Sequence, residues 1–170
     1  AQAGTWPEST EEYACTAAAS VARKYLDSNY TVGLVARGED AHVLPAERGD
    51  PQMTRILEAL SLFKASGSTG LAEVLAANGQ RFGRHTTVVL ITPAAGHDWL
   101  AAVRFLVRRK VKVAAVLLDA STFGARGSVL PVMSALAALG VPACTVKRGE
   151  SLPAALRLEI DSLKKQPALK

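Results

Sequence analysis

Residues 86–92 have the sequence Thr-Thr-Val-Val-Leu-Ile-Thr, and residues 111–119 have the sequence Val-Lys-Val-Ala-Ala-Val-Leu-Leu-Asp. Continuous apolar runs of this length are typical of strands that are covered on both faces of a parallel sheet. Between them, residues 98–110 carry apolar side chains at helical spacing, which predicts a helix with Trp99 on its inner side. A strand, a helix and a second buried strand in this order indicate an α/β fold with right-handed crossovers.

The same alternation continues outward in both directions along the chain. Further helices are predicted over residues 10–27, 50–65, 71–78 and 128–139 and from Ser151 onward, and further strands over residues 30–37, 41–44 and 141–146. Ser9 and Glu12 form a capping box at the first helix, and Asp50 before Pro51 predicts a capped start for the second. We therefore predict a three-layer, doubly wound α/β domain over residues 1–170. Its sheet is mostly parallel, and the hairpin near Gly38 supplies one antiparallel edge strand.

The composition excludes several classes of protein. The chain has 170 residues, of which 49% are hydrophobic and 21% charged, so it can form a folded core and is not intrinsically disordered. It has no stretch of about 20 apolar residues that would span a bilayer, and its first residues are not expected to act as a signal peptide. Two cysteines, Cys15 and Cys144, exclude a disulfide scaffold and a paired zinc motif.

The positive charge of the chain does not by itself predict nucleic-acid binding. The formal charge is +5 and only 5% of the residues are aromatic. Proteins that bind single strands need aromatic side chains among their basic residues. We interpret the densest basic cluster as a solvated helix end, where cations are favourable. That cluster comprises Arg104, Arg108, Arg109, Lys110 and Lys112. We therefore expect no nucleic-acid partner.

Several short segments occur in an order that is similar to a known bacterial family. They are Val32-Gly33-Leu34-Val35, Pro51-Gln52, Ser68-Thr69-Gly70-Leu71, Val88-Val89-Leu90-Ile91-Thr92 and Val116-Leu117-Leu118-Asp119. The order of elements resembles the von Willebrand factor A fold. Residues 12–123 more specifically resemble domain of unknown function fifty-eight, which is often encoded beside MoxR-type AAA+ ATPases. The resemblance therefore covers about two-thirds of the chain.

The resemblance implies a first, central strand that residues 1–8 do not supply, because this segment is short and contains Gly4 and Pro7. Either the chain was cut downstream of that strand, or the hairpin pairs directly with the strand that begins at Thr86. We favour the first explanation. A fold that lacks its central strand is expected either to be marginally stable or to borrow a strand from a second copy, as in a domain-swapped dimer.

The resemblance also implies a Mg²⁺ site built from hydroxyl and carboxylate groups of three loops. Thr69 matches the threonine of the second loop, but Pro93 stands where the third loop would place an aspartate. Asp98, a few residues later, would act only through a water molecule. Mg²⁺ needs several oxygen ligands, and Thr69 is better explained as a helix N-cap that follows a Gly-Ser turn. We therefore predict no metal and no cofactor.

The carboxyl ends of parallel strands are where loops of an α/β sheet gather and bind ligands. We predict a binding rim there, formed by Ser66, Ser68, Thr69, Thr92, His97, Asp98 and Trp99. The sequence has no strained nucleophile turn of the hydrolase type. We therefore expect a module that binds proteins without catalysing a reaction. The alternative hypothesis is a ligand-binding or hydrolytic enzyme that uses Asp98, Asp119 and His97.

The family resemblance also suggests a partner and a location. It implies that the protein partner is a MoxR-type AAA+ ATPase or a client of that ATPase. It further implies that the parent protein is anchored on the cytoplasmic side of the inner membrane by parts outside this chain. This chain itself is expected to be cytoplasmic and not membrane-inserted.

Overall fold

The computed structural model describes residues 9–66, 69–93 and 96–151. The chain divides into two compact units, with the boundary between Thr69 and Gly70. The prediction of one domain over residues 1–170 stays a prediction. The helix predicted after Ser151 lies outside the described residues. No helix in the described part of the chain is long and apolar enough to cross a bilayer.

The first unit is a two-stranded antiparallel hairpin with two helices. Its elements are α1 (Thr10–Asp27), β1 (Val32–Arg37), β2 (Ala41–Glu47) and α2 (Gly49–Leu62). The Ser9 hydroxyl accepts a hydrogen bond from the Glu12 N–H at 3.2 Å, which confirms the predicted N-cap of α1. A small apolar core joins the two helices, formed by Ala22, Leu26, Met53 and Ile56.

A buried amide in α2 fixes the hairpin to the helix. Gln52 is only 1% exposed, and its Nε2 donates to the carbonyl of Val32 at 2.6 Å and to that of Pro45 at 2.9 Å. The β1–β2 register is irregular between Val32 and Leu34, and Pro45 has no N–H to give to the ladder. Gln52 therefore provides hydrogen bonds at the end of the hairpin where the ladder itself is incomplete.

The turn of the hairpin lies against the chain that follows α2. The Glu39 N–H donates to the Lys64 carbonyl at 2.9 Å. A Cβ on Gly38 would lie 1.9 Å from that same carbonyl oxygen. Only glycine permits this approach of two backbone segments, because any larger residue would force them apart.

The second unit is built on a three-stranded parallel sheet. Its elements are α3 (Leu71–Asn78), a short 3₁₀ helix (Gly79–Arg81), β3 (Thr87–Thr92), α4 (Leu100–Arg108), β4 (Lys112–Leu118), a second 3₁₀ helix (Ala120–Phe123), α5 (Leu130–Ala138) and β5 (Ala143–Val146). The strand order is β3-β4-β5, and both pairs are parallel. A mixed α/β structure with a parallel sheet and an antiparallel pair is therefore confirmed.

The central strand β4 is buried along almost its whole length, from Val113 to Leu118. Val113, Ala115 and Leu117 belong to one core cluster with Val103 of α4 and Val132 of α5. Because side chains alternate along a strand, Ala114, Val116 and Leu118 point to the opposite face, and they are buried too. The prediction that this strand is covered on both faces is correct.

The edge strand β3 is less buried than its sequence suggested. Leu90 and Thr92 are buried, whereas Val88, Val89 and Ile91 are half-buried and Thr87 is exposed. No strand in the described residues pairs with β3 on the side away from β4. An edge strand has one neighbour instead of two, which leaves part of its apolar surface accessible.

The structure corrects the prediction of a single sheet, because the described strands form two sheets and the hairpin is one of them. Two predicted helix starts are also wrong. Arg48, not Asp50, occupies the N-cap position of α2, and Asp50 lies in the first turn, where it contacts Arg23 at 3.0 Å. Gly70, not Thr69, is the N-cap of α3.

Candidate functional site

The loops that follow β3 and β4 lie at the carboxyl-end edge of the parallel sheet. This edge contains the predicted residues Thr92, His97, Asp98 and Trp99, and Asp119 of the alternative hypothesis. Ser66 and Thr69 belong to the first unit. The grouping of these two residues with the others into one rim stays a prediction. Ser68 lies outside the described residues.

Asp119 organises the loop that follows β4. Its Oδ1 accepts from the Ser121 hydroxyl at 2.6 Å and from the Ser121 N–H at 3.2 Å. Its N–H donates to the Val146 carbonyl at 2.8 Å, and its carbonyl accepts from the Thr122 hydroxyl at 2.7 Å. This Asx-type arrangement starts the 3₁₀ helix and joins the ends of β4 and β5. One carboxylate oxygen of Asp119 is thus occupied by a structural contact.

His97 and Asp98 are exposed in the loop before α4. The carbonyl of His97 accepts from the Leu100 N–H at 3.1 Å, so this backbone forms the turn that leads into α4. A Cβ on Gly96 would lie 3.0 Å from Asp98 Oδ1, and one on Gly70 would lie 3.8 Å from Asp98 Oδ2. The Asp98 carboxylate therefore lies close to the N-terminus of α3.

This position gives Asp98 an electrostatic role that the sequence analysis did not predict. The N-cap of α3 is Gly70, which has no side chain to accept a hydrogen bond from the helix amides. A carboxylate near these amides interacts favourably with the positive end of the helix dipole. Asp98 and Gly70 are 28 positions apart in the sequence, so no local motif reveals this contact.

Trp99 is in the core of the second unit. It is 0% exposed and packs in the cluster that contains Leu75, Leu90 and Val103. Its inner position is as predicted. The hypothesis that its ring also anchors a partner is not compatible with this conformation. Its indole Nε1 has no hydrogen-bond partner in the described part of the chain. Thr92 is buried as well, whereas His97 and Asp98 are exposed.

The remaining predicted residues lie near the end of the first unit. Ser66 is exposed, and its hydroxyl donates to Glu39 Oε2 at 3.4 Å. Thr69 is half-buried and directly precedes Gly70. Both hydroxyls are of a type that can contact a partner. The hydrogen bond from Ser66 to Glu39 is long and both residues are exposed, so it does not form the close, oriented pair that an activated nucleophile needs.

The three residues of the alternative enzyme hypothesis do not contact one another through hydrogen bonds or ion pairs among the described residues. His97, Asp98 and Asp119 make no hydrogen bond or ion pair with one another in the structure as described. A nucleophile or general base needs such contacts for activation and orientation. Within residues 9–66, 69–93 and 96–151, no group of three or more His, Cys, Asp or Glu side chains could hold a metal ion.

The fold and this edge define an α/β protein with a polar, partly exposed loop region at the carboxyl ends of parallel strands. The sequence profile described as "Protein of unknown function DUF58" matches residues 1–123, which is more than half of the chain. The chain belongs to this family. No curated protein and no solved structure matches the chain.

Proposed function

We propose that this chain is a non-catalytic protein-interaction module with a von Willebrand factor A-like, doubly wound architecture. The binding surface includes the loop that carries His97 and Asp98. The observation that carries the proposal is that these two side chains are exposed while Asp119 is held by Ser121. An exposed loop on a rigid sheet edge suits docking, whereas a catalytic relay requires these groups to contact one another.

The arrangement of the second unit supports the architectural part of the proposal. The strand order β3-β4-β5 with helical connections is that of a parallel α/β sheet. Helix α4 connects β3 to β4, and α5 connects β4 to β5, so both connections move in the same direction across the sheet. Right-handed connections of this kind place α4 and α5 on the same face of the sheet. Val116 and Leu118 on the other face are also buried. This burial fits a third layer, as a doubly wound fold requires.

The partner and the location rest on the family resemblance. We propose a MoxR-type AAA+ ATPase, or a client of it, as the partner. We further propose that the parent protein is held at the cytoplasmic side of the inner membrane by segments outside this chain. The family match over residues 1–123 supports the resemblance on which both proposals are based.

The proposal is tested by measuring the binding of this chain to a purified MoxR-type ATPase, loaded with ATP or ADP, by biolayer interferometry. The variant His97→Ala/Asp98→Asn removes the exposed loop groups and should weaken binding at least about tenfold if they are central to the contact. The variant His42→Ala/Glu58→Gln likewise removes one imidazole and one carboxylate, but from the first unit, and should bind normally. Equal binding by both variants, or a hydrolytic activity that requires His97, would contradict the proposal.

A further inference from the structure

The second unit has a strongly asymmetric distribution of charge. Residues 70–151 contain ten Lys and Arg against four Asp and Glu, a formal charge of +6. The four acidic residues are Glu73 in the first turn of α3, Asp98 before α4, Asp119 after β4 and Glu150 after β5. All four lie towards the carboxyl-end edge of the parallel sheet. The stretches 74–97 and 99–118 contain no acidic residue at all.

The opposite, amino-end edge of the sheet carries a concentrated set of cations. They come from the 3₁₀ helix after α3, the loop before β3, the end of α4 and the start of β4. We define them as the basic face: Arg81, Arg84, Arg108, Arg109, Lys110 and Lys112. Because β3 and β4 are parallel and Thr87 is paired with Lys112, the segments that precede these strands meet at one edge.

Specific contacts hold the segments of the basic face together. Arg109 Nη1 donates to the Gly79 carbonyl at 2.7 Å, and its guanidinium lies 5.5 Å from the centre of the Phe105 ring. A Cβ on Gly79 would contact the Phe105 ring at 3.9 Å. The Lys112 N–H donates to the Thr86 carbonyl at 3.3 Å. The cations thus project from a fixed framework.

The charges of the basic face are not neutralised within the described residues. Ion pairs join Arg23 to Asp27 and Asp50, and Arg55 to Glu47, in the first unit, and none of the cations of the basic face forms an ion pair with a described residue. Arg81, Arg84, Arg108 and Lys110 are exposed. Concentrating like charges at one edge is unfavourable for the folded chain alone, so such a surface suits an anionic partner.

We propose that the basic face binds the anionic headgroups of a lipid bilayer surface. Loops that end at one sheet edge present their cations in a common plane, which matches a flat, negatively charged surface. Phe105 is 47% exposed beside these cations, and aromatic side chains are favourable at the membrane interface. Single-stranded nucleic acid would need several aromatic platforms, and Phe105 is already partly covered by Arg109.

This orientation would direct the carboxyl-end edge away from the bilayer. The four acidic residues among positions 70–151 lie at that edge, so an anionic surface would repel them while it attracts the basic face. The His97–Asp98 loop would remain accessible to another protein. The lipid proposal does not depend on the proposed protein-binding function, because it concerns the opposite edge of the sheet.

The test is a co-sedimentation assay of the whole chain with phosphatidylcholine vesicles, with or without about one-third phosphatidylglycerol, at low and high salt. Binding should require the anionic lipid and should fall steeply with salt. Each cation near an anionic surface contributes about 1 kcal/mol, so Arg84→Gln/Arg108→Gln should weaken binding about thirty-fold.

The matched control is Arg126→Gln/Lys147→Gln, which removes the same charge from the same unit after β4 and β5, at the other edge. It should retain nearly full vesicle binding, and circular dichroism should show that both variants are folded. An equal loss in both variants would show that only net charge matters and would overturn the proposal. Tighter binding to single- or double-stranded oligonucleotides than to the vesicles, with the same dependence on Arg84 and Arg108, would also overturn it.

Discussion

Replacing Gln52 is predicted to be the most informative test of the first unit. The amide group is buried and donates to the carbonyls of Val32 and Pro45 at 2.6 and 2.9 Å. The variant Gln52→Leu keeps most of the side-chain volume and removes both donors. Each hydrogen bond has a net value of about 1 kcal/mol, and a carbonyl that leucine leaves without a donor and shields from water costs about 1–3 kcal/mol. We therefore expect the free energy of unfolding to fall by about 2–4 kcal/mol.

This prediction is checked by urea unfolding followed by far-ultraviolet circular dichroism. Gln52→Glu should lower the free energy of unfolding further at neutral pH, because a buried carboxylate cannot donate to either carbonyl. The control is Thr54→Ala in the same helix, whose exposed hydroxyl bonds only to the Asp50 carbonyl at 3.2 Å. This control should change stability by less than about 0.5 kcal/mol. If Gln52→Leu is as stable as the control, Gln52 does not hold the hairpin to α2.

Four further predictions concern separate features. Gly38→Ala should reduce the free energy of unfolding by about 1–3 kcal/mol in a denaturant titration, because its Cβ would lie 1.9 Å from the Lys64 carbonyl oxygen. The control is Gly83→Ala, whose Cβ would meet no atom within 4 Å and which should leave the free energy of unfolding nearly unchanged. Burial, and to a lesser extent Glu11 and Glu12, raises the pKa of Cys15 to about 11. Cys15 should therefore react with a disulfide reagent about a hundredfold more slowly at about pH 8 than an unperturbed thiol, and rapid labelling of the folded chain would contradict this. Because the folded pKa is the higher one, the stabilisation from the neutral thiol should be present below the pKa of the unfolded thiol and be lost as the pH rises towards about 11. Asp98→Asn should lower the free energy of unfolding, measured by thermal denaturation, by about 0.3–1 kcal/mol at low salt and by less at high salt, because the carboxylate lies near the N-terminus of α3. An effect that does not depend on salt would exclude the interaction with the helix dipole. Light scattering after size exclusion should show the mass of a dimer, as a domain swap requires, and a monomer at every concentration would refute that expectation.

The elements that could be predicted from sequence are those whose pattern depends on local burial alone. Val113–Leu118 is apolar at every position, and the structure buries it on both faces. Ser9 caps α1 as its Ser-x-x-Glu pattern predicts. In both cases the deciding interactions lie within a few residues or depend only on hydrophobicity.

The predictions that failed depend on contacts between distant parts of the chain. Asp50 was expected to cap α2, but it contacts Arg23 of α1. Thr69 was expected to cap α3, where Gly70 is the N-cap and Asp98 supplies a nearby carboxylate. Contacts between a helix end and a residue distant in sequence leave no pattern in the neighbouring sequence.

The candidate site shows the same division between local and distant information. The predicted order of strands and helices was enough to assign His97, Asp98 and Trp99 to the carboxyl-end edge of the sheet. It did not predict which of these side chains point into the core and which point to solvent. Trp99 belongs to the core, while His97 and Asp98 are exposed. Gln52 could have been noticed, because it lies among the inward positions of α2, next to Met53 and four residues from Ile56.

The basic face is a second case in which the sequence identifies charged residues but does not predict which other residues lie beside them in the fold. The cluster at the end of α4 was interpreted as a solvated helix end. The structure adds Arg81 and Arg84 from other segments and leaves the whole face without an acidic partner among the described residues. Such a concentration arises only after the strands pair in parallel, so the charge pattern of one helix could not reveal it.

The central claim is that the exposed loop at the carboxyl-end edge of the sheet binds a protein. The most direct measurement places a photo-crosslinking amino acid at position 97 and irradiates the chain in the presence of a purified MoxR-type ATPase. The proposed function predicts a specific crosslink from position 97 and none from the same group at position 42 in β2. Equal crosslinking from both positions, or none from position 97 under conditions in which the ATPase binds the chain, would contradict the claim.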